Sequence, residues 1–138
     1  MALRPETEAW DQVDSYLQQH VRPGDIVWLY PNDSALPLRA AGPRSSYARR
    51  GIPADYPAVG VKGPIRAGSP AVVSLTPEGA NRLANDPNVQ RIPTIWLVEC
   101  QPAFADPGQD VPRALEQNRS AGPKVSWGYI SMRSFSRR

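Results

Sequence analysis

The sequence predicts an α/β fold, a three-layer sandwich around a mostly parallel sheet of about four strands, Rossmann-like but without a dinucleotide-binding loop. Three observations lead there. Two runs, Ile26–Tyr30 and residues 94–98, are apolar or aromatic apart from Thr94 and bounded by turn residues, as in strands buried on both faces. Helix-like segments alternate with strand-like runs, and strands joined by helices imply parallel neighbours with right-handed crossovers. No glycine-rich phosphate loop follows the first strand. The two apolar runs are expected at the centre of the sheet and the last strand at an edge.

In residues 7–21, Trp10, Val13, Leu17 and Val21 lie three or four apart and share one helix face. Thr7 suits the N-cap, with Glu8 in the first turn. Pro23-Gly24-Asp25 ends this helix. Gly24 supplies backbone freedom there, and Asp25 can bond a nearby amide. After the first strand, Asn32, Asp33 or Ser34 can cap a short helix over Ala35–Ala41, which Gly42-Pro43 stops. Pro37 is tolerable only in its first turn.

Residues 42–70 carry five prolines and five glycines and read as one long irregular loop, a length that is often functional. Residues 56–61 suggest a short extended piece within it. Residues 71–75 form the second strand. Thr76, Pro77 and Glu78 then supply an N-cap, a first-turn proline and a first-turn acid. That helix buries Ala80, Leu83 and Ala84, and Asp86-Pro87 closes it. The third strand, residues 94–98, leads through Glu99 and Cys100 to a polar loop with Asp106-Pro107-Gly108. Asp110 can cap a helix through Val111, Ala114, Leu115 and Asn118. In residues 124–135, Val125, Trp127 and Tyr129 alternate with Ser126 and Gly128, as in a strand with one wetter face. Ser136-Arg137-Arg138 is expected to fray.

The 138 residues suit a single domain, and 41% hydrophobic with 21% charged content is ordinary for a soluble chain. Sixteen basic against thirteen acidic side chains allow contact with phosphates or lipid headgroups without requiring nucleic acid. One cysteine, Cys100, excludes an intrachain disulfide, and with one histidine, His20, a zinc site is not expected. No run reaches the ~18 apolar residues of a membrane span, and no signal peptide is visible. The chain reads as soluble, either by itself or as part of a larger membrane protein.

No motif in the sequence implies a cofactor. The dinucleotide fingerprint, the Walker pattern and the Gly-x-Ser-x-Gly elbow are missing. His20 falls at the wrong end of its helix for a strand-top triad and reads as a helix-end cation. Cys100 reads as a packed thiol. The carboxylates Asp33, Glu99 and Asp106 fall at strand C-terminal ends, where α/β folds place ligands and where a paired acid can carry a raised pKa. Asp33 and Asp106 have a simpler reading as turn or cap residues. Glu99 directly follows a buried strand, and it reads as a structural salt-bridge partner or an exposed side chain ahead of a catalytic acid. Arg44, Tyr47, Arg49 and Arg50 form a basic-aromatic cluster in the long loop. Arginine forks match phosphate oxygens. No basic-aromatic stripe on a strand suggests nucleic acid.

Three pieces in order then invite a comparison: Trp10 with Tyr16-Leu17, Pro23-Gly24-Asp25-Ile26-Val27, and Arg91-Ile92-Pro93-Thr94-Ile95-Trp96-Leu97-Val98. With the Asp106-Pro107 loop and a closing strand, the sequence resembles the C-terminal extramembrane domain of bacterial family 39 type membrane glycosyltransferases, relatives of dolichyl-phosphate-mannose protein mannosyltransferases. Arg91 stands five residues before Trp96, farther than in that family. The family's catalytic acids lie beside its membrane helices, so the resemblance carries no catalytic residue to this chain. It implies a polyprenyl-phosphate sugar donor for the parent enzyme. The domain itself is then non-catalytic and lies on the periplasmic or exterior face of the inner membrane, with the transmembrane part as partner. Under this expectation Arg44, Tyr47, Arg49 and Arg50 contact the headgroup or acceptor. The alternatives are a small enzyme using Glu99 or Asp33 at the strand tops, and an interaction module docking through Tyr56 or Trp127.

Overall fold

Helix α1 (Pro5–His20) buries Trp10, Val13 and Leu17 on the face their spacing predicts. In the computed structural model, residues 5–52, 65–67, 73–102 and 106–138 are described, with side chains for 9–32, 34–52, 75–102 and 106–138. Residues 56–61, with Tyr56, lie outside them, as does the side chain of Asp33. After the turn at Gly24, where φ is +93°, β1 (Ile26–Tyr30) begins. A 3-10 turn over Asn32–Ser34 leads to α2 (Ala35–Ala41), and β2 (Arg49–Gly51) returns parallel to β1. Within the stretch read as a long loop, Arg49–Gly51 and Ile65–Ala67 are thus strands.

Strands β3 (Ile65–Ala67) and β4 (Val73–Leu75) pair antiparallel in a sheet of their own. Helix α3 (Pro77–Ala84) starts as the sequence indicates, with the Thr76 side chain accepting from the Gly79 amide at 3.1 Å. Asp86 caps the short α4 (Pro87–Gln90) through the Asn88 amide. Then follow β5 (Thr94–Cys100), α5 (Asp110–Glu116), β6 (Arg119–Ala121), β7 (Val125–Trp127) and β8 (Ile130–Arg137).

The predicted mostly parallel, four-stranded, Rossmann-like sheet is corrected by this topology. The main sheet has six strands in the order β2-β1-β5-β8-β6, with β7 also paired to β8. Only β1–β2 and β1–β5 are parallel; β8 runs antiparallel to β5, β6 and β7. Three local features explain the difference. The second predicted strand, β4, joins β3 and not the main sheet. Gly128, at φ +60°, makes a two-residue hairpin turn with Tyr129 and divides the last predicted strand into β7 and β8. The three-residue β6 is too short to show a period. Strand β8 is therefore interior, with β5 on one side and β6 and β7 on the other. The expected frayed tail is mostly strand, and the Arg137 amide bonds the Pro93 carbonyl at 2.9 Å.

Alternation along the strands sends side chains to two cores. Val27, Leu29, Val98, Ile130 and Met132 pack with Trp10, Val13 and Leu17 of α1 and Leu38 of α2. Trp28, Tyr30, Ile95, Leu97 and Phe135 pack with Ala80 and Ala84 of α3, Val89 of α4, and Val111, Ala114 and Leu115 of α5. Helices thus cover both faces of the sheet. Among the described residues, no helix is long and apolar enough to cross a membrane.

On β6, Arg119 is 3% exposed. Its guanidinium donates to the carbonyls of Val89 and Ile92 at 2.8 Å, Phe135 at 3.1 Å and Pro93 at 3.4 Å. One side chain thereby fastens α4 and the entry to β5 onto β8. Burial lowers its pKa, and Arg137 nearby adds to the effect.

Candidate functional site

The residues marked by sequence fall at opposite ends of the sheet. Arg44 and Tyr47 precede β2, at the N-terminal end of β1, whereas Glu99 closes β5 at the carboxyl rim. Asp33 follows β1 at that same rim, in the 3-10 turn.

At the N-terminal end, a cleft of about 450 Å³ is lined by Arg22, Asp25, Arg44, Ser45, Ser46 and Tyr47 among others. Its wall is built on Asp14, which is 5% exposed although it lies on α1. The Asp14 carboxylate accepts from Tyr47 Oη at 2.5 Å, Ser45 Oγ at 2.7 Å and Gln18 Nε2 at 2.6 Å. Burial first, and then the bond to Asp14, raise the Tyr47 pKa, so the phenol stays a donor. Arg49 stacks over the Tyr47 ring at 5.1 Å and donates to the Gly42 carbonyl at 3.3 Å. Arg50 pairs in register with Trp28 while Arg49 pairs with Val27, so the two arginines point to opposite faces. The predicted four-residue cluster is therefore not one site. Arg44 faces the cleft, Tyr47 and Arg49 support its wall, and Arg50 belongs to the other face. Arg22 and Arg44 are exposed at the cleft, and among the described residues neither has an ion-pair partner.

Gly42 is buried against Asp14, and a Cβ there would fall on its carboxylate. Gly42→Ala is expected to cost about 2 kcal/mol of stability, as overpacking does. A shift of the urea midpoint checks this, and an unchanged midpoint would show that Asp14 moves freely.

At the carboxyl rim, Tyr30, Glu99 and Ser131 lie side by side across β1, β5 and β8. Glu99 is 3% exposed, and its Oε2 has no donor in reach among the described residues. Burial is the main cause that pushes its pKa up to about 9; Asp106 adds to this, and Lys124 opposes it. Glu99 is thus a neutral acid at pH 7, able to donate to the Asp106 carboxylate. Asp106 is itself fixed by the Asp110 amide at 2.8 Å and the Val111 amide at 3.3 Å. Its turn-and-cap role and its pairing with Glu99 coexist. The Tyr30 hydroxyl accepts from the Leu75 amide at 2.8 Å, and burial raises its pKa.

Glu99, Gln109, Lys124, Ser131 and Arg133 lie on the wall of a cavity of about 70 Å³. Lys124 and Ser131 also line a wider cleft of about 480 Å³, with Gln101, Ser126, Gly128 and Tyr129. Gln101 and Gln109, one on each wall, hold left-handed backbone at φ 51° and 53°. Non-glycine residues in this region carry strain of order 1 kcal/mol and concentrate at binding sites.

His20 does not reach either opening. Its ring stacks on Tyr16 at 3.9 Å, and its Nδ1 bonds the Tyr16 carbonyl at 2.7 Å. Cys100 packs, half-buried, against the α1-side core. Trp127 meets the Tyr16 ring edge-on at 5.6 Å. Among the described residues, no group of three or more His, Cys, Asp or Glu could hold a metal ion.

Sequence reasoning passed over Asp14, Arg22, Lys124 and Ser131. Asp14 had a signal: it sits four residues after Trp10, on the apolar stripe, where a lone acid needs partners. Lys124 and Ser131 had none, since a turn and a strand pairing bring them to Glu99. Fold and openings together define an α/β domain with ligand-sized clefts at both ends of one sheet. No protein-family model, curated protein or solved structure matches the chain.

Proposed function

We propose that the chain is a non-catalytic extramembrane domain of a polyprenyl-phosphate-sugar glycosyltransferase, lying on the exterior face of the membrane. In this reading the Arg22–Arg44 cleft receives the phosphate headgroup of the donor, beside the transmembrane part of the same protein. The observation that carries the reading is a contact between two of the motif pieces behind the resemblance. Asp25 of the Pro-Gly-Asp turn accepts from the Trp96 indole at 3.3 Å and from the Arg22 amide at 3.0 Å. That bond joins the start of β1 to β5 and forms part of the cleft floor, so the motif residues and the arginines belong to one construction.

Guanidinium groups without carboxylate partners suit phosphate oxygens. Titration with farnesyl phosphate, followed by amide chemical shifts, is expected to perturb Arg22, Arg44 and Ser45 saturably. Arg44→Ala should weaken binding at least fivefold while the spectrum stays folded. Inorganic phosphate in a parallel titration separates a lipid-phosphate site from a bare anion site. Unperturbed Arg22 and Arg44 in the presence of farnesyl phosphate would discard the headgroup role.

A further inference from the structure

We propose that the carboxyl rim of β5 carries a second binding site, for a monocarboxylate with an apolar body, its head held by Lys124, Ser131 and Arg133 at the small cavity and its body lying in the adjoining cleft. The site goes beyond the headgroup reading and does not depend on it.

The charge on the wall selects the head. Lys124 and Arg133 are the ionised groups among the described residues that line the cavity of about 70 Å³, and Glu99 lies on the same wall as a neutral acid. Register sets the two cations side by side. Val125 pairs with Met132 and Ser126 with Ser131, so Lys124, one residue before β7, falls opposite Arg133. Like charges directly opposite destabilise a strand pair. Glu116 relieves one of them: it accepts from Arg133 Nη1 at 3.3 Å, while Arg133 Nε donates to the Gly122 carbonyl at 2.9 Å. Lys124 has no ion-pair or hydrogen-bond partner among the described residues. Asp106 does not line the cavity; its carboxylate is taken up by the Asp110 and Val111 amides and by Glu99. One positive charge is left over at the opening, which matches a carboxylate better than a phosphate dianion.

The donors and the space also fit. Ser131, 8% exposed, lines both openings, and its hydroxyl bonds no other described residue. Ammonium and hydroxyl can each donate to one carboxylate oxygen. Lys124 and Ser131 stand at the junction, because they also line the cleft of about 480 Å³. That cleft is mainly apolar, with Pro102 and Ile130 in its wall, and its size is usual for small-molecule sites. A head fixed at the junction lays its body on this apolar surface and frees the water there. The left-handed Gln101 and Gln109 backbones flank the two openings, as strain does at binding sites.

The test is titration of the whole chain with hexanoate, with 1-hexanol, hexylamine, acetate and hexyl phosphate in parallel, read by amide chemical shifts. Hexanoate is expected to shift Lys124, Ser126, Ser131 and Arg133 saturably, and to bind about tenfold tighter than hexanol or acetate. Hexylamine should leave these amides in place, and hexyl phosphate should bind no tighter than hexanoate. Lys124→Gln should weaken hexanoate about tenfold and leave hexanol unchanged, and Ser131→Ala should weaken hexanoate about threefold, both with a folded spectrum. Shifts of Arg22 and Arg44 report the headgroup cleft at the other end of the sheet, so the two sites stand or fall separately in one spectrum. Absence of saturable shifts with hexanoate, or shifts confined to Arg22 and Arg44, would overturn the proposal. So would tighter binding of hexanol, hexylamine or hexyl phosphate, or hexanoate binding that Lys124→Gln leaves intact.

Discussion

Replacing Glu99 with glutamine is expected to raise folding stability by about 3 kcal/mol at pH 7 and to flatten its dependence on pH. The folded-state pKa of about 9 lies above the ordinary 4.5. Between those values the folded chain keeps a proton that the unfolded chain releases. Stability from this group is therefore complete below about pH 4.5 and falls as pH rises, by about 1.4 kcal/mol per unit, until the folded acid also ionises near 9. Over the whole window the loss approaches about 6 kcal/mol, an upper bound. Tyr30 and Tyr47 also have raised values, but they start from 10.0 and so titrate above this window. Glutamine does not titrate and can still donate to Asp106 through its amide. Urea unfolding at pH 5, 7 and 9 checks the expectation. Variant and native chain should agree within about 1 kcal/mol at pH 5 and diverge steadily above it. A constant difference at all three values would mean that Glu99 is ionised in the folded protein.

Arg119→Ala is expected to cost about 4 kcal/mol. The four carbonyls of Val89, Ile92, Pro93 and Phe135 would lose their shared donor at once. Those bonds join α4, the start of β5 and β8, so the loss should be cooperative and not confined to β6. Arg119→Lys should recover only a small part, because an ammonium point charge cannot span a planar fork's several acceptors. Urea midpoints of the three proteins measure this. Recovery of most of the stability by lysine would mean that charge alone, and not the fork, holds the strands.

Much of the local structure was legible because single residues announce it. The spacing of Trp10, Val13 and Leu17 gave α1, the Thr76-Pro77-Glu78 sequence gave the start of α3, and the apolar runs gave β1 and β5. Pairing partners were not legible, since a buried strand looks the same beside a parallel or an antiparallel neighbour. Hence nothing in its sequence separates β4 from the main sheet or marks β8 as an interior strand. Gly128 sat within an alternating pattern that continued on both sides of the turn, which hid the hairpin. For the site, Glu99 was marked by its place after a buried strand, and its burial and its bond to Asp106 needed the fold. The arginine cluster was read as one group because four basic and aromatic residues stood close in sequence. A two-residue period in β2 separates Arg49 from Arg50.

The parallel register of β1 with β5 matches Ile26 to Ile95, about half the chain away. The hairpin of β7 and β8, by contrast, closes through two residues. Assembly of this domain therefore combines one fast, local event with one long-range encounter that must overcome a large loop-closure entropy. Until that encounter is made, β5 has an open hydrogen-bonding edge on its β1 side, and a second copy in the same half-made state is the natural rival for it.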